Sequence, residues 1–295
     1  MTILAAIFDF DDTIVPDSTT EFLDSHNVNS NDFWLKDVKS LTDSGWDPTL
    51  AYLKTFLGLI GETKPLGQLS DAQLREFGQT LDSKCYPGLP QIFEDLKNTV
   101  KKYRDIDIEF YIISGGLQSI IEGSKIIHDN FSGVYGCQLA GDEENGVLRY
   151  IKRAITFTEK TRYLFEINKG VTPGAVKTKP YLVNLDKSYE QRRIKFSNMI
   201  YVGDGLTDIP CFTLIMKGPS GYPEERGTAF AVFDPKKTNG RRSAKQALQD
   251  FLKPNRVVSA HKPDYTPDSE LGSFIRAAVG IRCSEINLRQ ELATT

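Results

Sequence analysis

Residues Ile3-Leu4-Ala5-Ala6-Ile7-Phe8 form an unbroken apolar run, and Asp9-Phe10-Asp11-Asp12-Thr13 follows it at once. Six apolar residues are too few for an ordinary helix and suit a strand covered on both faces, as in a parallel sheet. The abrupt change to carboxylates is electrostatically unfavourable. Two unit charges about 4 Å apart repel by about 4 kcal/mol at an effective dielectric near 20. Carboxylates crowded at the end of a buried strand therefore need a cation or raised pKa values to persist.

Two further runs have the same design. Ile106-Asp107-Ile108-Glu109-Phe110-Tyr111-Ile112-Ile113 ends at Ser114-Gly115-Gly116, and Met199-Ile200-Tyr201-Val202 ends at Gly203-Asp204-Gly205-Leu206-Thr207-Asp208. Each strand-like run closes in a small or acidic loop and gives way to a helical pattern. This alternation predicts an α/β fold with a doubly wound parallel sheet. Ligands of such sheets sit at the carboxyl ends of the strands, where all three polar loops fall. Phe230-Ala231-Val232-Phe233 reads as an edge or late strand.

Between the first two strands the pattern is helical, from about Asp17 to Lys84. Asp47-Pro48 reads as an N-cap and first-turn pair, with Leu50, Leu53, Leu57 and Ile60 at helical spacing behind it. Ser70 and Gln73 form a capping-box pattern. Tyr86-Pro87-Gly88 breaks the pattern ahead of a helix from about Pro90 to Tyr103. A helical insert at this point would overhang the active edge of the sheet. The expected division is a core of residues 1–15 and 87–295 with a helical cap of residues 16–86. Residues 171–198 look inserted, and a terminal helix is expected over 268–291, weakened by Gly280. The basic residues Lys236, Lys237, Arg241, Arg242 and Lys245 read as a solvated loop and helix start.

Of the 295 residues, 36 are Lys or Arg and 39 Asp or Glu, a formal net charge of −3, which gives no footprint for nucleic acid or an anionic membrane. No apolar run approaches the roughly 20 residues of a membrane span. The first residues lack the basic start of a signal peptide. Cys85, Cys137, Cys211 and Cys283 are widely spaced, with no CxxC, and read as reduced thiols. The expectation is a cytoplasmic protein with no nucleic-acid or membrane partner.

Two acidic loops at strand ends suggest a shared oxygen-ligand site, for which Mg2+ is suited as a hard cation that favours carboxylates. Ser114-Gly115-Gly116 adds a hydroxyl and backbone amides that suit an anion such as phosphate.

At these residues the chain resembles the haloacid dehalogenase (HAD) superfamily, in its phosphatase branch. Asp9-Phe10-Asp11-Asp12-Thr13 is similar to the first family motif, Ile112-Ile113-Ser114-Gly115 to the second, and Gly203-Asp204-Gly205-Leu206-Thr207-Asp208 to the fourth. The third is a lone lysine at a helix start. Lys160, in Thr158-Glu159-Lys160-Thr161-Arg162, is taken for it, with Lys169 as its competitor. The helical insert matches the C1 cap of phosphoserine-phosphatase-like members.

The resemblance implies a magnesium-dependent phosphatase with a Rossmann-like core, acting on a small phosphomonoester through an aspartyl-phosphate. It implies Asp9 as nucleophile and Asp11 as general acid and base, with Ser114 and Lys160 holding the phosphoryl oxygens. Phe10, Thr13 and Gly115 complete the expected substrate contacts, Thr13 as a brace of the loop. Asp9, Asp11 through its carbonyl, Asp204 and Asp208 are the expected metal residues. Asp11 argues against carbon–halogen chemistry. The alternatives are a phosphotransferase or phosphomutase using the same intermediate, and a metal- or phosphate-binding module without turnover. Phosphoserine specificity is not carried over: Ser18 stands where that branch has a glutamate, and Arg75 is the only arginine of the insert. His26, His128 and His261 match no ligand spacing, and Trp34 and Trp46 read as cap packing.

Overall fold

The computed structural model describes residues 1–172, 174–175, 179–234, 246 and 248–294. Seven strands form one sheet: β1 (Thr2–Phe8), β2 (Ile106–Leu117), β3 (Gly133–Gly141), β4 (Leu148–Arg153), β5 (Met199–Gly203), β6 (Thr228–Val232) and β7 (Ser259–His261). Their order is β4-β3-β2-β1-β5-β6-β7, and every pairing except β3–β4 is parallel. The fold is therefore α/β, with the doubly wound sheet that the apolar runs predicted.

β1 lies at the centre and is buried from Ile3 onward, which is why no polar residue alternates through it. The chain passes from β1 to β2 on one side and returns to β5 on the other, so the crevice beyond β1 is the topological switch point of the sheet. Phe8 sits opposite both Ile112 and Val202. That register brings Asp9 level with Ile113 and Gly203, one residue short of Ser114 and Asp204.

Helices cover both faces. Gln91–Val100 buries Ile92, Phe93, Leu96 and Val100 along one stripe. The Phe93 ring meets Phe8 edge-on at 5.9 Å and Phe110 at 5.0 Å. Burying each such ring contributes about 1.5–3 kcal/mol. The terminal helix Glu270–Thr294 packs on Gln91–Val100.

Helical segments also fill the stretch between β1 and β2. Pro48–Gly58 is capped by Asp47, whose carboxylate accepts from the Thr49 and Leu50 amides, and Asp71–Thr80 has the expected Ser70–Gln73 box. Within Pro48–Gly58 the buried face is Ala51, Tyr52, Leu53 and Phe56, while Leu50 is exposed. Asp71–Thr80 crosses the helix Gln118–Gly123 at two glycines. A Cβ on Gly78 would lie 2.1 Å from the Ile120 carbonyl oxygen, and one on Gly123 2.1 Å from that of Arg75.

Some of these expectations need correction or completion. β2 does not stop at Ser114: it continues to Leu117 with its register against β3 slipping between Ile113 and Leu117, so Ser114-Gly115-Gly116 is a bulge rather than a loop. Of the two readings of Phe230-Ala231-Val232-Phe233, the late strand holds and the edge does not, because β7 pairs beyond β6. β3, β4 and β7 carry no strand pattern that the sequence reading detected. Trp46 stands at the surface beneath Lys54, while Trp34 is the tryptophan that packs, against Phe33 and Tyr52. The stretch 171–198 carries short 3-10 turns at Leu182–Asn184, Tyr189–Gln191 and Phe196–Asn198. The basic cluster Lys236, Lys237, Arg241, Arg242 and Lys245 lies outside the described residues.

Candidate active site

The loop that leaves β1 turns sharply. The Thr13 and Ile14 amides both donate back to the Phe10 carbonyl, and Asp12 adopts a left-handed conformation, φ 56°, which Asp tolerates better than most residues. The Asp9 amide donates to Val202 and so keeps the residue in line with the sheet, while one of its carboxylate oxygens, Oδ1, accepts from the Phe10 amide at 2.7 Å.

The other oxygen of Asp9 accepts from Lys160. Lys160 Nζ lies 2.6 Å from Asp9 Oδ2 and 2.8 Å from Asp208 Oδ1, with all three side chains buried. Lys160 stands in the first turn of the helix Glu159–Lys169, which aims it beneath the strand ends. Lys169 is at the other end of that helix, donating to the Val183 and Leu185 carbonyls. The structure therefore brings Lys160 to the carboxylates and not Lys169.

Asp208 is held on every side. Its Oδ1 also accepts from the Tyr201 hydroxyl at 2.7 Å, and its Oδ2 from the Gly205 amide at 2.8 Å. Oxygens of Asp9, Asp204 and Asp208 all lie within 4.8 Å of one another.

Asp11 lies across the crevice. Its Oδ1 accepts from the Ser18 amide at 2.7 Å, and a Cβ on Gly116 would come within 2.5 Å of its Oδ2. Glycine is thus required at the β2 bulge for Asp11 to occupy its place. The same bulge bends Ser114 back so that its hydroxyl accepts from the Gly116 amide at 3.0 Å.

These carboxyls are displaced from ordinary behaviour. Burial pushes Asp9 up to about 6, partly offset by Lys160 and reinforced by Asp208. Burial and then the Asp17 charge push Asp11 up to about 8. Asp204 is raised well above the usual carboxylate range by burial, then by Asp12, Asp9 and Asp208. For Lys160, burial disfavours the ammonium, but Asp208 and Asp9 outweigh it and hold the group above its usual value.

The carboxylates face a cavity of about 300 Å³. Asp9, Asp11, Asp204, Ser114 and Gly115 line its floor; Asp17, Thr19, Trp34, Thr49 and Tyr52 line the side contributed by the helical stretch. Tyr52 closes the two together, its hydroxyl donating to the Gly115 carbonyl at 2.9 Å. The side chains of Phe10 and Thr13 do not reach this cavity. Both are fully buried and serve the loop. The Thr13 carbonyl accepts from the Tyr265 hydroxyl at 2.8 Å.

Tyr201, Tyr265, Asp17 and Tyr52 were missed as site residues in the sequence. Tyr201 could have been noticed as the one hydroxyl inside the apolar run of β5; the other three carry no local signal.

No family model matches the chain. An uncharacterized protein of Borreliella burgdorferi is 30% identical over 236 residues, which span 72% of this chain and 78% of that protein. Among solved structures, a HAD family hydrolase from Salmonella enterica serovar Typhi superposes with a TM-score of 0.53 at 16% identity, covering 87% of this chain and 66% of that one. A probable phosphoserine phosphatase from Vibrio cholerae superposes with a TM-score of 0.54 at 12% identity, covering 96% and 67%. The chain thus spans about two thirds of the length of these structural neighbours. It belongs to one family with the Borreliella burgdorferi protein, and it shares its fold with these two solved structures.

Proposed function

We propose that this protein is a magnesium-dependent phosphatase that hydrolyses a small phosphomonoester through a phosphoryl group carried on Asp9. The observation that supports this most directly is the pairing of Asp9 and Asp11 at one cavity in different environments. Asp9 is tied to an ammonium, while Asp11 faces another carboxylate, Asp17, and has its pKa raised to about 8. One carboxyl is thereby suited to act as an anion, the other as a proton donor near neutral pH.

The donor set fits a hard divalent cation: carboxylate oxygens of Asp9, Asp204 and Asp208 lie within 4.8 Å of one another. Asp9, Asp204 and the Asp11 carbonyl would hold it. Asp208, both of whose oxygens already accept protein hydrogen bonds, would orient Lys160 and the Gly205 loop. When bound, magnesium screens the anionic ester from the carboxylates and stabilises charge on the transferring group.

In the first half-reaction an Asp9 oxygen attacks phosphorus, the bond from phosphorus to the ester oxygen breaks, and Asp11 gives its proton to the departing alcohol. In the second, the Asp11 carboxylate takes a proton from water as that water attacks phosphorus, which frees Asp9 and releases phosphate. Lys160 and Ser114 hold phosphoryl oxygens during both transfers. Residues 16–86 act as a cap over a core of residues 1–15 and 87–295, excluding bulk water that would compete with the positioned one. We place the activity in the cytoplasm, in keeping with four unpaired cysteines.

The test is phosphate release from p-nitrophenyl phosphate with magnesium or with chelator, for wild type and Asp9→Asn. Magnesium-dependent release that the substitution abolishes is the expected result. Equal rates in the two proteins would remove Asp9 from the chemistry.

A further inference from the structure

We propose that Tyr201 is a positioning residue: through Asp208, its hydroxyl keeps the Lys160 ammonium at Asp9 instead of letting it settle on Asp208. This rests on the phosphatase reading above and adds to it a buried residue that does not line the cavity.

Tyr201, Asp208 and Lys160 are all fully buried, so none of them can turn to water for a partner. Two donors meet at Asp208 Oδ1, Lys160 Nζ at 2.8 Å and the Tyr201 hydroxyl at 2.7 Å, while the Gly205 amide meets Oδ2 at 2.8 Å. On its other side Lys160 Nζ lies 2.6 Å from Asp9 Oδ2. The ammonium thus shares its Asp208 oxygen with a phenol and stands nearer to Asp9. An ammonium between two carboxylates leans toward the one with more uncompensated charge. A phenol that donates to a carboxylate makes a charge-assisted bond and takes up part of that charge. In a buried network the effect is not screened by water. Without the hydroxyl, Asp208 would draw Lys160 away from Asp9, where the phosphoryl group is received.

Both ends of the Tyr201–Asp208 bond stand on rigid supports. Tyr201 lies in β5, opposite Ile7 of β1 and Ala229 of β6. Its ring meets Phe212 edge-on at 5.6 Å, and Phe212 meets Phe251 at 5.4 Å. Asp208 ends the 3-10 turn Leu206–Asp208, its amide donating to the Gly205 carbonyl. A phenylalanine at position 201 would fill the same space in the core. What tyrosine adds is one hydroxyl, aimed at the oxygen that also holds Lys160.

The experiment is Tyr201→Phe, which keeps the ring and its packing and removes only the hydroxyl. Its kcat on p-nitrophenyl phosphate should fall about tenfold with KM within about twofold, less than the roughly 10²- to 10³-fold that losing a whole charge-stabilising donor costs. Oxyanion binding, measured by calorimetry with magnesium present, needs no turnover. Orthovanadate, which takes a five-coordinate geometry on Asp9, should bind about tenfold more weakly, and inorganic phosphate, which stays tetrahedral, within about twofold of wild type. A hydroxyl that only supports the fold would weaken both oxyanions alike. In Asp208→Asn the group through which Tyr201 acts is gone, so adding Tyr201→Phe there should change vanadate affinity by less than about twofold. Turnover by wild type, with kcat and vanadate affinity unchanged in Tyr201→Phe, overturns the proposal and leaves the phosphatase standing. Equal losses of vanadate and phosphate, or the same loss of vanadate with Asp208 and without it, overturn the proposal as well. The vanadate–phosphate split in a protein that releases phosphate from no ester supports the placement of Lys160 by Tyr201 and removes the phosphatase. A wild type that neither releases phosphate nor binds vanadate overturns both.

Discussion

The hydroxyl of Tyr265 donates to the carbonyl of Thr13 across 252 positions of sequence, at 2.8 Å and out of contact with solvent. The chain after β7 thereby holds the loop that carries Asp9 and Asp11. Tyr265 is fixed in turn, its amide donating to the Pro87 carbonyl and its ring lying edge-on to Phe8 at 6.2 Å. In Tyr265→Phe the ring remains and the Thr13 carbonyl is orphaned, at a cost of about 1–3 kcal/mol. The expected outcome is a lower melting temperature together with a several-fold fall in kcat on p-nitrophenyl phosphate and little change in KM. A variant with wild-type kcat would show that the loop keeps its shape without this bond.

Lys160 lies between two buried carboxylates, and its removal leaves both without their counter-charge. Breaking a buried pair at one partner typically costs about 3–5 kcal/mol. Lys160→Met should lose that order of stability in urea at pH 7 and lose activity as well. Adding Asp208→Asn should return part of the stability, because one of the two orphaned charges is gone, and none of the activity. If the double variant proves as unstable as the single, Asp208 is not coupled to Lys160 as the 2.8 Å contact implies.

How far the sequence disclosed this site depended on whether a residue stood out from its neighbours. Asp9 and Asp204 follow apolar runs, so their charge is conspicuous, and the sheet register carries them to one crevice. Lys160 was one of two lysines on a short helix, and only the packing of that helix decides which end faces Asp9. Tyr201 reads as one more core residue of β5, and Tyr265 belongs to a polar, proline-containing stretch with nothing to pair it with Thr13. β4 was unreadable because it is a largely exposed edge strand with no apolar run, and β7 because three residues carry no period. In β3, Gly133, Gly136 and Gly141 dilute the pattern.

The terminal helix is tied to the fold by Arg276, whose Nη2 lies 2.5 Å from Asp95 Oδ2 on the neighbouring helix. The Gln91 amide and the Arg276 guanidinium hold the Asp95 carboxyl below its usual 3.8. A depressed folded-state pKa stabilises above the unfolded value, and the contribution is lost as pH falls through the folded one. Asp95→Asn should therefore cost about 1 kcal/mol near pH 7, the pair being partly exposed. The gap from wild type should persist down to about pH 4 and close below it. A constant gap between pH 7 and pH 2 in thermal unfolding would mean that charge is not what Asp95 contributes.

Gly280 lies in the middle of that same helix, where a Cβ would meet nothing within 4 Å. Gly in a helix interior costs about 0.5–1 kcal/mol relative to Ala. Gly280→Ala should raise the melting temperature by about 1–3 °C and leave phosphate release untouched. An unchanged or lowered melting temperature would indicate that the glycine is needed for a contact made elsewhere.

Gly116 tests the placement of Asp11 without altering either carboxylate. A methyl group there would sit 2.5 Å from Asp11 Oδ2, nearer than a carbon and an oxygen approach without bonding, and Ser114 Oγ is only 3.3 Å away on the same side. Either Asp11 or the bulge has to move by about an ångström. Displacements of that size in a catalytic group cost on the order of 10²-fold in rate. Gly116→Ala should therefore lower kcat on p-nitrophenyl phosphate by about 10- to 100-fold. The far-UV circular dichroism should stay that of wild type, since the pairing with β3 is already interrupted between Ile113 and Leu117 and few ladder contacts depend on Gly116. The loss should also depend on the leaving group. Aryl phosphates, whose phenolate departs with little help, should suffer less than alkyl phosphates, which need the Asp11 proton. Equal losses on both would place the damage in the seat of the phosphoryl group at Ser114 rather than in proton delivery by Asp11.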